Sequence, residues 1–136
     1  MITVATWLLG FVGFILMVIG GYFVFVRPPL LPEDARFMNA TTEALLEAVP
    51  GLSRWLRRVF CVLGGYIATT GLMVIYVAFT AMHDQAPGVL PLLSAAGIMS
   101  IGLMAVVNVS LRSEFKRPLL LLACVWAAAM LLDAIA

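Results

Sequence analysis

Ionisable side chains are scarce in this sequence, and long stretches have none. Residues 1–26, 59–82, 85–111 and 118–132 contain no Asp, Glu, Lys or Arg. Only 11% of the chain is charged, where a soluble domain carries about a quarter. Histidine occurs once, as His83 beside Asp84. A lone His-Asp pair lacks the further ligands that a metal site needs. Neither a Ser-His-Asp set, an HExxH helix nor a phosphate-binding glycine loop is present. No catalytic residue, metal or cofactor is therefore expected. The two cysteines, Cys61 and Cys124, lie in charge-free stretches without Cys-x-x-Cys spacing. They read as buried small hydrophobes rather than redox or metal groups. Formal net charge is +1, and no nucleic-acid partner is expected.

What fills the sequence instead is apolar surface. The 136 residues are 64% hydrophobic, and the mean hydropathy is +1.12. A chain this short cannot hide such an excess in its own core, so its solvent must be lipid. A spanning helix takes roughly 20 mostly apolar residues. The first three charge-free stretches meet that length. The fourth covers about 22 Å at the helical rise, with Lys116 and Arg117 able to snorkel at one end and Asp133 at the other. The first stretch has no basic leader, and its apolar run is too long for a signal peptide, so it reads as a retained span. The expected fold is all-α: a single membrane domain with a bundle of four transmembrane helices at about 2–26, 58–82, 87–111 and 118–135. A loop, 27–57, carries a short interfacial helix.

The basic residues fix an orientation. Arg27, Arg36, Arg54, Arg57 and Arg58 belong to the first loop, and Arg112, Lys116 and Arg117 to the third. The second loop, Ala81–Gly88, has none, and neither terminus has any. The positive-inside rule places loops one and three in the cytoplasm and both termini outside. A bacterial cytoplasmic (inner) membrane is the expected location.

Two segments repeat: VIGGY at Val18–Tyr22 and VLGGY at Val62–Tyr66. On antiparallel helices these glycine pairs fall at one depth, about 10 Å from the basic end. Each extends into a stripe of small residues at helical spacing. The first span has Thr3, Thr6, Gly10, Gly13, Met17 and Gly20; the second has Gly64, Ala68, Gly71 and Ala78, with Ile75 interposed, and ends at Met82. Ser94, Gly97, Ala105 and Asn108 mark the third, with Ile101 interposed. Ala123, Ala127 and Ala134 mark the fourth, with Met130 interposed. Helices in lipid associate through close packing, which small residues permit. The doubled GGY thus reads as a packing device between spans one and two, and the four stripes predict a tight bundle.

In the first loop, Pro28, Pro29 and Pro32 force an extended exit from the first span. Pro32 suits the first position of a short helical turn with Glu33 and Asp34 at its positive end. Thr41 is a cap for a helix reaching about Val49, which places Leu45, Leu46 and Val49 on one side and Glu43 and Glu47 on the other. Pro50-Gly51 ends it, and Ser53 is the expected cap of the second span. Arg54, Arg57 and Arg58 share a helix face, as topology anchors or as a seat for lipid headgroup phosphates.

No acid or base lies deep in a span, which disfavours proton-coupled transport within one protomer. The leading expectation is a non-catalytic membrane protein, an accessory or assembly subunit or a homo-oligomeric scaffold, whose partners are the bilayer and a second copy or another membrane protein. Two alternatives stand beside it: a binder or carrier of an apolar ligand such as a lipid or quinone, and a small channel or transporter formed by oligomerisation. The candidate ligand-binding residues are Tyr22, Tyr66, Thr69, Thr70 and Asn108. A fitted cavity lined by those side chains would favour the binder.

Overall fold

The computed structural model describes residues 3–135. They form six helices: α1 (Val4–Phe25), α2 (Pro32–Phe37), α3 (Thr42–Ala48), α4 (Leu52–Met82), α5 (Val89–Ser110) and α6 (Lys116–Ala134). Helices α1, α4, α5 and α6 are each long and apolar enough to cross a membrane. Their ends fall within a few residues of the charge-free boundaries, except that α4 begins at Leu52. Its basic first turns are helical, so the connection between the first two spans is shorter than expected. Ser53 is not its cap. Gly51 holds that position, with no side-chain hydrogen bond.

Helices α1 and α4 run antiparallel and pack most extensively. The doubled glycine motif lies at this contact. A Cβ built on Gly20 would stand 2.6 Å from the Gly64 carbonyl oxygen and 2.5 Å from the Ala68 amide nitrogen. One built on Gly64 would stand 2.6 Å from the Gly20 oxygen. Backbone meets backbone here, and only glycine fits. Each GG pair uses its first member only, because Gly21 and Gly65 have open space around them. Further along, the ring of Phe79 lies over Gly10, 2.7 Å from where a Cβ would stand, and meets Trp7 edge-on with ring centroids 5.4 Å apart.

The bundle is not uniformly tight. Helix α1 packs between α4 and α6, and α6 in turn packs on α5. Helices α4 and α5 approach chiefly beside their short connection, where Ala78–Met82 meets the start of α5. Both widen into a π-helical turn, at Ala78–Met82 in α4 and Ile98–Gly102 in α5. Hydroxyls support each widening: Thr80 donates to the Tyr76 carbonyl at 2.6 Å, and Ser100 to that of Ala96 at 2.6 Å. Side-chain back-bonding of this kind bends helices, and away from the connection α4 and α5 diverge.

Only part of the stripe expected on the fourth span lies in its seam: Ala123 is half-buried against the core and Met130 is buried. Ala127 and Ala134 are exposed, while Leu119, Leu122, Trp126, Ala129 and Met130 are buried. Trp126 explains the substitution of large for small. It is 3% exposed, and its indole lies over Gly97, where a Cβ would collide with the ring. Its N–H donates to the Leu93 carbonyl at 3.1 Å. The small residue and the large one thus come from opposite helices, and the indole donor is satisfied. Cys61 and Cys124, expected inside, are both on the outer surface.

Three helix ends share one capping geometry. Asn39, Gln85 and Arg112 each have φ near +50° (53°, 51° and 51°). After each, a backbone N–H reaches back five residues: Ala40 to Ala35, Ala86 to Ala81 and Ser113 to Asn108. This is the Schellman arrangement, whose left-handed residue is usually glycine.

Candidate functional site

The divergence of α4 and α5 leaves a groove of about 850 Å³, within the size range of small-molecule sites. Its walls are α4 and α5, its floor is α1 and α6, and α2 closes the end that carries the basic loops. Most of the lining is aliphatic and aromatic, including Leu16, Ile19, Leu63, Ile67, Leu103 and Leu122. Tyr66, at 70% exposed, and Leu103, at 58%, form the rim where the groove opens sideways between the helices.

The polar groups are graded along its length. At the closed end stand Arg27, Glu33, Asp34 and Ser113. Pro32 starts α2 and sets its direction, and Asp34 in the first turn accepts from the Leu31 N–H at 3.0 Å. The same Oδ2 accepts from Arg27 at 3.2 Å, the one ion pair among the described residues. Arg27 is otherwise enclosed. Its side chain is 8% exposed, its guanidinium lies 3.5 Å above the Phe60 ring and 5.2 Å from that of Phe23, and Nη1 donates to the Pro28 carbonyl at 3.1 Å. Cation–π contact and the carboxylate together hold this side chain in place.

Helix α2 is tied to the opposite loop as well. Ser113, buried in the turn before α6, donates to Glu33 Oε1 at 3.0 Å and accepts from the Phe115 N–H at 3.2 Å. Arg36 donates to the Arg112 carbonyl at 3.3 Å. Ala35, on the same helix, is buried. The first and third loops therefore meet at one end of the bundle, and α2 lies across it. Helix α3 has no buried residue; Leu46, Val49, Glu43 and Glu47 are all exposed.

Next along the groove come Tyr22 and Asn108. Tyr22 packs against Phe23 and Phe115, with ring centroids 6.1 and 6.2 Å away. Neither its hydroxyl nor that of Tyr66 has a protein hydrogen-bond partner among the described residues. Asn108 Nδ2 donates to the Met104 carbonyl at 2.9 Å, which leaves Oδ1 as a free acceptor. Deeper still lie Thr70 and Ser100, whose hydroxyl protons are already given to the Tyr66 carbonyl at 2.9 Å and to that of Ala96.

Four of the five candidate ligand-binding residues, Tyr22, Tyr66, Thr70 and Asn108, line this one groove. Thr69 does not. It is exposed on the outer side of α4, about one-third of a turn from Thr70. Arg54, Arg57 and Arg58 are exposed on the first turns of α4 and take no part in the groove. The charged end was not among the sequence candidates. Its signal was the Arg27-Pro-Pro-x-x-Pro-x-Asp34 run, in which prolines turn the chain back and bring the two charges together.

A second cavity, of about 550 Å³, lies at the other end and is lined by Thr3, His83, Asp84, Gln85 and Asp133 among others. Among the described residues no cluster of His, Cys, Asp and Glu is arranged to hold a metal. Comparisons with protein-family models, with curated proteins and with solved structures found no match to this chain.

Proposed function

We propose that this chain is a membrane protein that binds a single amphiphile, head inward and tail along the groove, and works by binding rather than by bond-making chemistry. One observation carries the reading. A groove of about 850 Å³ runs from a charged end, past free phenol and amide groups, to an aliphatic interior. That polarity gradient is the profile of a lipid-like molecule. In this reading the exposed faces of α1, α4, α5 and α6 meet lipid, and the basic loops lie in the cytoplasm. The gap between α4 and α5 then opens onto the cytoplasmic leaflet of a bacterial inner membrane. Ligand enters sideways from the bilayer, since α2 covers the end. Ser113 is buried and fixed by two hydrogen bonds, so we assign it a structural role under α2 and not that of a nucleophile.

The groove favours the binder over a bare scaffold, although a binder can also serve as a subunit of a larger assembly. The test is purification in mild detergent followed by native mass measurement and extraction of bound lipid. Wild-type protein should retain about one amphiphile per chain. Thr70→Trp and Ile19→Trp fill the groove from two sides and should lose it, while Val62→Trp, on the outer surface, should keep it. Equal retention in all four proteins, or none in the wild type, would remove the reading.

A further inference from the structure

The two ends of the bound molecule need not be guessed together, because the charged end of the groove has an asymmetry of its own. Arg27 is the one cation in the lining, against the two carboxylates of Glu33 and Asp34. It is not available to an anion. Asp34 holds Nη2, the Pro28 carbonyl holds Nη1, and the rings of Phe60 and Phe23 flank the guanidinium. A phosphate or sulfate arriving here would have to displace Asp34 and then face Glu33 at close range. Arg36, Arg112, Lys116 and Arg117 stand at the same end but outside the lining. Arg36 is turned to the Arg112 carbonyl.

Glu33 is the complementary case. One of its oxygens accepts from Ser113, and no cation lies within ion-pair distance among the described residues. The groups that follow it along the groove are also acceptors with spare capacity: Asn108 Oδ1 and the Tyr22 phenol oxygen. The Tyr22 and Phe115 rings, both in the lining, add faces of negative potential. Tyr22 and Asn108 each also keep a donor, the Tyr22 O–H and the second Asn108 N–H, so neither sets the sign of the ligand; the unpaired Glu33 carboxylate and the ring faces do, and both suit a cation.

We infer that the groove selects an amphiphile whose head carries a primary ammonium, seated on Glu33 with Asn108 and Tyr22 as its further acceptors. This rests on the amphiphile reading above and specifies its head. A primary ammonium has three donors and no acceptor; free long-chain amines carry it alone, and aminophospholipids carry it beside a phosphate, which would have to lie away from Glu33, toward the Tyr22 O–H and the Asn108 N–H. The long aliphatic floor takes the tail in both cases.

The experiment uses the full chain, stripped of lipid in detergent, with binding followed by intrinsic tryptophan and tyrosine fluorescence and by native mass measurement. Three probes share one chain length: a long-chain primary ammonium, the corresponding alcohol and the corresponding sulfate. Two diacyl lipids of matched chains, phosphatidylethanolamine and phosphatidylglycerol, complete the set. The ammonium should bind about tenfold more tightly than the alcohol, as charged hydrogen bonds allow, and the sulfate more weakly than either. Glu33→Gln keeps the side-chain shape and an acceptor for Ser113 while removing the charge and one acceptor oxygen. It should bring the ammonium down to the alcohol without changing the alcohol. Glu43→Gln, on exposed α3, should change neither. A thermal melt of each unliganded variant shows whether α2 is still docked. Preference for phosphatidylethanolamine over phosphatidylglycerol would make a membrane lipid the source of the ammonium. Preference for the simple amine alone would make it a free lipophilic amine. Alcohol or sulfate binding as tightly as ammonium, or an ammonium preference that survives Glu33→Gln, would overturn the inference and leave groove binding standing. Failure of all five probes to bind would overturn the amphiphile reading itself.

Discussion

Gly13 on α1 and Gly71 on α4 face each other backbone to backbone. A Cβ on Gly13 would stand 2.7 Å from the Gly71 carbonyl oxygen, and one on Gly71 would collide with the Gly13 oxygen. Seven residues away on each helix, Gly20 and Gly64 repeat the relationship. Two close contacts a heptad apart fix both the crossing and the register of this pair.

Alanine substitution should therefore split the glycines of these helices by sign. At Gly13, Gly20, Gly64 and Gly71 the added methyl forces the backbones apart, at a cost of about 1–3 kcal/mol by analogy with overpacked cores. At Gly21 and Gly65 nothing stands in the way, and the gain in helix propensity should stabilise by up to about 1 kcal/mol. Unfolding midpoints in a fixed detergent mixture measure the contrast. Equal effects at the two sets would show that the contacts do not limit stability.

Trp126 should be the most sensitive position on α6. Trp126→Ala empties the space over Gly97 and should cost about 3–5 kcal/mol. Trp126→Phe keeps most of the volume but gives up the hydrogen bond to Leu93, and about 1 kcal/mol is expected. Ala127→Leu, on the exposed side of the same helix, should be close to neutral. A tolerated Trp126→Ala would mean that α6 packs by some other face.

At Gln85, a non-glycine residue occupies the left-handed position of a helix cap. Gln85→Gly relieves a strain of about 1 kcal/mol, partly offset by the greater freedom of glycine in the unfolded chain. A small rise in the thermal midpoint is expected. A fall would mean that the Gln85 side chain makes a contact worth more than the strain.

The two ends of the bundle should lie on opposite sides of the membrane. Single cysteines at Thr42 and Gln85, in a background lacking Cys61 and Cys124, should react with an impermeant reagent from opposite faces of sealed vesicles. Thr42 should be protected in right-side-out vesicles and Gln85 accessible. Reaction of both from one side would invalidate the proposed topology, and with it the leaflet onto which the groove opens.

What the sequence determined by itself follows from solvation. Charge-free apolar stretches long enough to span a membrane marked all four long helices, and glycine spacing alone located the contact between α1 and α4. Proline chemistry likewise marked the start of α2, and Thr41 the start of α3, where its hydroxyl accepts from the Ala44 N–H at 3.2 Å. These are local properties or repeat with the period of one helix. Relations between helices were left to the tertiary structure. A small-residue stripe says that a helix face can be approached closely, not that it is: Ala127 and Ala134 are small and exposed, because Trp126 on a neighbouring face found Gly97 on α5. Thr69 and Thr70 are adjacent and equally polar, yet only Thr70 turns into the groove. The groove exists because α4 and α5 part beyond their short connection, and its charged end exists because the prolines fold Asp34 back on Arg27. Single-helix patterns cannot encode either, since each depends on where a second helix is placed by packing elsewhere in the bundle.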